Sequence, residues 1–191
     1  AASVLQKYNI YGASGFSKID LLETPKEDKY FEKVVNHLVV SNKIALGAME
    51  KKAVELKYNI IIMGEKIQGE AREVGKKIVK SLKPGMAILG AGETTVTMTG
   101  GGGEGGRNQE TVLGALAHIP TGGVIISAAS DGEDNGPAAG AIADDKSLGR
   151  AKELTLDFEL ALNQHSAYNF FNNLKDLIQT GKTGANVSDL F

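Results

Sequence analysis

The chain has 191 residues, enough for one domain with a sizeable core, and its charges nearly cancel, with 21 Lys and Arg against 23 Asp and Glu. The lack of a basic stripe and an aromatic content of 6% argue against a nucleic-acid platform, and the lack of cysteine excludes a disulfide framework or thiolate chemistry. The apolar runs are too short to span a bilayer and no signal peptide is visible, so the expectation is a soluble cytoplasmic protein without membrane contact.

Residues 1–28, with the polar stretch "ETPKEDKY" at their end, read as a tail or linker from something upstream. Residues 29–191 read as one lobe. A start without methionine and an end at Phe191, just as "NVSDLF" turns strand-like, lead us to expect a piece of a longer protein. In chain order, "NHLVVS" (36–41) has the β-branched character of a strand. "NKIALGAMEKKAVELK" (42–57) has helical spacing, with Ser41 as a possible N-cap. "YNIIIMG" (58–64) reads as a buried strand, and "GEAREVGKKIVKSLK" (69–83) as a helix with Val74, Ile78, Val79 and Leu82 on one face. "MAILGAG" and "TTVTMT" follow as strands separated by Glu93. After a glycine run, a helix through "NQETVLGALAHI" ends at Pro120, and "GGVIISAAS" (122–130) is another buried strand. The loop "DGEDNGPAAG" comes next, and the last third is mainly helical until "TGKTGANVSDLF". Strand, helix, strand at this pitch predicts an α/β fold with a largely parallel central sheet, helices on both faces and a Rossmann-like layering.

Glycine is the compositional outlier, 24 residues in all, where the usual share is roughly 7%. Six of the seven residues from Gly100 to Gly106 are glycine, and Arg107 follows at a helix start. Such a run lets the backbone approach a ligand, places helix N–H groups and the dipole toward an anion, and adds a guanidinium suited to two-point contact. The alternative is a flexible loop whose arginine caps a surface. G-x-G-x-x-G can be read at Gly100/Gly102/Gly105 and at Gly101/Gly103/Gly106, a weak dinucleotide signal in so glycine-rich a run. "GKT" at 181–183 is not a Walker A motif, because position 176 is Asp and no strand precedes it. Asp131 and Asp134 follow the most apolar strand, where they either hold Mg²⁺ and order a hydroxyl or form an acidic turn. Glu93 is either a site carboxylate or a satisfied core group. His37, His118 and His165 are read as structural.

The blocks "GETTVTMTGGGGEGGRNQE", "SDGEDNGPAAGAIAD" and "YNFFNNLKDLIQTGKTGANVSDL" resemble the C-terminal half of the class II glycerate 2-kinases, whose C-terminal region is known as the MOFRL domain. "ETPK", "VVSNKIALGAMEKKA" and "IQGEAREVGKKI" are similar to the segment leading into it. The resemblance implies ATP- and Mg²⁺-dependent phosphorylation of the 2-hydroxyl of D-glycerate, in a cleft whose catalytic lysine comes from a missing N-terminal lobe. The family arginine falls on Arg107, and the terminal T-G-x-T-G-x-N motif falls on Thr180, Gly181, Thr183, Gly184 and Asn186. Lys182 stands where the family usually has proline, and His165 where an acidic residue is common. Together these readings assign catalysis to Arg107 and Asp131. Nucleotide or substrate binding is assigned to Glu93, Thr94, Gly102, Gly103, Gly105, Gly106, Asn108, Thr183, Gly184 and Asn186, and metal binding to Asp131 and Asp134. A homodimer is also expected as a possibility. The same proteins are often named hydroxypyruvate reductases, which leaves an NAD(P)H-dependent reductase, or a non-catalytic binding fragment, as alternatives.

Overall fold

A computed structural model describes residues 7–8, 24–100 and 102–191. Most of the expected tail at 1–28, and Gly101 of the glycine run, lie outside the described residues. The chain divides into two compact units, residues 1–38 and 39–191. In the first, one 3₁₀ turn spans Asp28–Tyr30. The sheet, the core and the candidate site all lie in the second.

Six helices and six strands are described there: α1 Asn42–Glu55, β1 Asn59–Ile67, α2 Ala71–Lys80, β2 Met86–Gly92, α3 Arg107–Ala115, β3 Val124–Ala129, β4 Gly140–Asp144, α4 Ser147–Glu153, α5 Phe158–Asn163, α6 Ala167–Leu174, β5 Leu177–Ile178 and β6 Asp189–Leu190. A 3₁₀ turn, Leu116–His118, extends α3. The strands form one sheet in the order β1-β2-β6-β3-β4-β5.

The expected α/β fold, one sheet flanked by helices, is present, and the largely parallel sheet is corrected to a mixed one. Only β1 and β2 pair in parallel, while β6 pairs antiparallel with both β2 and β3, and β4 pairs antiparallel with β3 and β5. Because β6 opposes both neighbours, β1, β2 and β3 still run in one direction. Their carboxyl ends therefore open on a common edge, where ligands collect in α/β sheets.

Two expected strands are absent. Residues 34–41 take no regular structure, and Leu38 and Val39 are among the most exposed apolar side chains. β-branched character cannot make a strand without a partner to pair with. In "TTVTMT" a single bridge, Thr95 to Glu70, forms. The Glu70 carboxylate then takes the N–H and hydroxyl of Thr97, both at 2.8 Å, in place of a ladder. Ser41 stands at the start of α1 but its side chain makes no capping bond.

The core lies under α3, whose residues from Asn108 to Ala115 are all buried. Val112, Leu113 and Leu116 pack with Ile78 and Val79 of α2, Ile125 of β3, Ala141 and Ala143 of β4, and Phe170 and Phe171 of α6. α2 presents Ala71, Gly75, Ile78 and Val79, the i, i+4, i+7, i+8 stripe of a core-facing helix. Gly75 and Gly114 let α2 and α3 approach closely: a Cβ on Gly75 would strike the Thr111 carbonyl, and one on Gly114 would lie 2.5 Å from the Arg72 Cα. α1 packs instead on β1 and β2, burying Leu46 and Ala53.

Candidate functional site

Beyond the ends of β2 and β3, an open cleft of about 670 Å³ is lined by Glu93, Thr94, Gly103, Gly105, Gly106, Arg107 and Asp134 among the residues singled out from the sequence. The loop after β3 touches the glycine run directly, for Asn135 Nδ2 donates to the Gly105 carbonyl at 2.9 Å. Asn108 is fully buried behind the wall, with Nδ2 on Asp134 and Oδ1 accepting from Ser127 Oγ at 2.5 Å. The Thr94 hydroxyl is buried without a hydrogen-bond partner among the described residues.

Arg107 opens α3 and is held from two sides. Nε and Nη2 donate to the two oxygens of Asp189 at 2.6 and 3.1 Å, and Nη1 lies 3.0 Å from Glu93 Oε1. Asp189 is buried in the sheet between β2 and β3, whereas the Arg107 side chain is 36% exposed. Its bonds to Asp189 hold the guanidinium pKa above its ordinary value, so the charge is fixed. Two of the five N–H donors are hydrogen-bonded, both to Asp189, and Nη1 pairs with Glu93 as an ion pair, which leaves three donors on the terminal nitrogens of a residue that lines the cleft. The fork expected to clamp a ligand is thus turned on Asp189, and the outer edge remains.

The α3 N-terminus is not an open anion site. Asp134 reaches it from the β3–β4 loop: its carboxylate accepts from the Asn108 N–H at 3.1 Å, the Gln109 N–H at 2.9 Å, and the side-chain amides of both. This is an N-cap supplied from a distance, needed because the cap residue Gly106 has no side chain. Burial pushes the Asp134 carboxyl above its ordinary value, against the pull of those four donors. Both oxygens expected to bind metal thus serve N–H groups in a buried pocket, which argues against that role.

Packing explains Gly103, Gly105 and Gly106 of the glycine run. The Gly103 N–H donates to the Gln164 carbonyl at 3.0 Å, and the Tyr168 N–H to the Glu104 carbonyl at 2.9 Å. A Cβ on Gly103 would collide with the Gln164 carbonyl, and one on Gly106 with the Asp134 side chain and carbonyl. Around Gly102 there is open space.

Asp131, Thr183, Gly184 and Asn186 form a second group off the cleft wall. Asp131 Oδ2 accepts from Asn186 Nδ2 at 3.0 Å, its Oδ1 from the Glu133 N–H at 3.1 Å, and its carbonyl from the Thr183 N–H at 3.0 Å. Gly184 takes φ 77°, which turns this terminal loop. Half-buried Asp131 keeps lone pairs beyond those two bonds. It fits the role of one carboxylate on a Mg²⁺ completed by water and phosphate oxygens. No cluster of three or more metal-ligating side chains occurs among the described residues.

Residues 86–189, more than half of the chain and from the start of β2 into β6, match the MOFRL family. The chain belongs to the MOFRL family. It is 35% identical to a glycerate 2-kinase of Pyrococcus horikoshii over 88% of this chain and 40% of that protein. A relative from Agrobacterium vitis, 34% identical over 88% of this chain and 41% of its own, carries a hydroxypyruvate reductase name. The crystal structure of a glycerate kinase from Thermotoga maritima superposes with a TM-score of 0.81 at 31% identity, over all of this chain and 48% of that one. This MOFRL chain therefore spans less than half the length of the relatives it matches.

Two features of the MOFRL lobe escaped the sequence reading. Asp189 anchors Arg107, and its signal was a lone carboxylate inside the strand-like "NVSDLF". The other is a buried set on the cleft wall, in which Glu110 takes Arg72 on one oxygen and His165 on the other. Glu110 closes the block ending GGRNQE and Arg72 lies in IQGEAREVGKKI, but the sequence reading gave neither a role. Among the described residues, no helix is long and apolar enough to cross a membrane.

Proposed function

We propose that the protein carrying this chain is a glycerate 2-kinase, which transfers the γ-phosphoryl group of ATP to the 2-hydroxyl of D-glycerate. The chain would form one wall of the active cleft, and the upstream part of the protein would supply the other wall and the catalytic lysine. The observation that carries the reading is Arg107, a fixed cation with N–H donors not taken up by Asp189, on a cleft at the carboxyl edge of the sheet. Phosphoryl transfer asks chiefly for alignment and neutralisation of charge spread over the equatorial oxygens. The outer edge of Arg107 suits a phosphoryl or carboxylate oxygen. Asp189 and Glu93 fix its orientation in advance, so no reorganisation is needed as charge develops. Asp131, held by Asn186 and the terminal loop, would be the carboxylate of this lobe available to Mg²⁺, an ion that neutralises charge on the phosphate oxygens.

The reductase reading rests on the glycine fingerprint, which needs a helix N-terminus open to a pyrophosphate. Asp134 fills that position. An assay of the full-length protein separates the two. Glycerate with ATP should yield 2-phosphoglycerate and ADP, while hydroxypyruvate should leave NADH or NADPH unconsumed. Oxidation of the nicotinamide without any ADP formation would reverse the assignment.

A further inference from the structure

One side of the cleft is pinned to the segment that leads into α6. Two pins are backbone bonds, from Gly103 to Gln164 and from Tyr168 to Glu104. The third runs through a side chain, for the Thr99 N–H donates to His165 Nε2 at 3.3 Å. Met98, Gly103 and His165 all line the cleft. A backbone N–H can only donate, so Nε2 must accept and the ring proton sits on Nδ1, a tautomer assigned from the network. That proton points to Glu110 Oε2 at 3.0 Å. Glu110 Oε1 is held by Arg72 Nε and Nη2 at 3.0 and 2.6 Å, and Nη2 also reaches the Leu162 carbonyl at 2.9 Å. Arg72 Nη2 lies 3.3 Å from Nδ1 as well, a contact between two donors rather than a bond. A relay thus runs from α2 through α3 to the imidazole and then to the cleft wall. Glu110 and His165 are almost wholly buried, whereas Thr99 is exposed, so the rigid part of the relay ends where the wall begins.

We propose that His165 is a positioning residue, held in one tautomer by Glu110 and Arg72, whose Nε2 fixes the Met98–Thr99 wall of the ligand cleft. The kinetic part of this inference rests on the kinase reading, and the structural part does not. Two substitutions in the full-length protein separate the ends of the ring. His165→Asn keeps an amide near Nδ1 and loses the acceptor at Nε2. His165→Gln keeps a polar atom near Nε2 and loses the Nδ1 contact. His165 sits at φ 52°, a region that asparagine tolerates well.

Hydrogen–deuterium exchange of the segment 96–100 is the first readout. Loss of one hydrogen bond should speed it about fivefold in His165→Asn, with His165→Gln within about twofold of wild type. In glycerate phosphorylation, His165→Asn should raise KM for the substrate against this wall about fivefold, with kcat held within about twofold. Equal exchange in the two variants, whether fast or slow, overturns the proposal, because packing alone would then explain the imidazole. If the exchange pattern holds but wild type makes no 2-phosphoglycerate, the pin stands and the kinase reading falls. Should a buried variant fail to fold, Thr99→Pro removes the same donor at an exposed position. It should reproduce the KM rise, and an unchanged KM overturns the pin.

Discussion

Two buried carboxylates meet the start of α3, and they leave it in opposite states. Asp134 takes the backbone N–H groups of Asn108 and Gln109 and closes the helix terminus. Asp189 takes one edge of Arg107 and leaves the outer edge, beside Glu93, with N–H donors toward the cleft. A glycine run followed by a helix is therefore not by itself an anion site. What decides is whether a loop carboxylate reaches the terminus first. Here the dipole stabilises the fold, and a side-chain cation one residue into the helix faces the ligand space.

Four measurements break or sharpen that contrast. The largest effect on stability should come from Asp134→Ala, which strands two backbone N–H groups and two side-chain amides in a buried place. The expected loss is about 3 kcal/mol in urea unfolding. A loss under about 1 kcal/mol would mean that water caps the helix as well as Asp134 does. Gly106→Ala should cost about 2 kcal/mol, since its Cβ would run into the same Asp134. A thermal melt checks it, and a neutral result would free Gly106 from the cap.

The third measurement uses pH. Burial raises the Asp134 carboxyl above its ordinary value of 3.8, so the folded protein holds that proton more readily than the unfolded chain. Its contribution to stability is complete below the ordinary value and declines as pH rises through the folded-state value. The stability of wild type relative to Asp134→Asn should therefore fall as pH rises from 3.8 upward. A relative stability that rises over this range would mean that the N–H donors outweigh burial. The smallest effect belongs to Gly102→Ala, within about 0.5 kcal/mol because nothing lies within 4 Å of the added atom.

The elements that the sequence reveals are those with a long periodic pattern. The stripe on α2, the apolar run of β3 and the alternation of β1, α2 and β2 were all legible. The strands that make the sheet mixed were not. β4 is "GAIAD", whose small residues lie against α3 and lack the β-branched signature of a strand, and β6 has two residues. Arg107 was legible as a candidate from its place after the glycines, and it lines the cleft. Its stability cost was not, because an exposed first-turn arginine should be nearly silent. Its partner Asp189 lies 82 residues away, and that ion pair makes Arg107→Lys cost about 1–2 kcal/mol in addition to its effect on activity. Asp134 reads as a metal ligand from composition because sequence shows a carboxylate and not what already fills its lone pairs.

The contrast between the closed terminus and the open guanidinium is tested most directly by kcat/KM for glycerate in two variants of the full-length protein, each corrected for its folded fraction. Arg107→Lys keeps the charge and loses the planar fork that Asp189 orients, so turnover should fall about 10²–10³-fold, the usual cost of losing a donor aimed at transition-state charge. Asp134→Asn alters the cap and keeps the Arg107 fork, so it should stay within about threefold of wild type once unfolded protein is discounted. The reverse pattern, with Asp134→Asn inactive and Arg107→Lys unchanged, would place the ligand at the helix terminus and contradict the account.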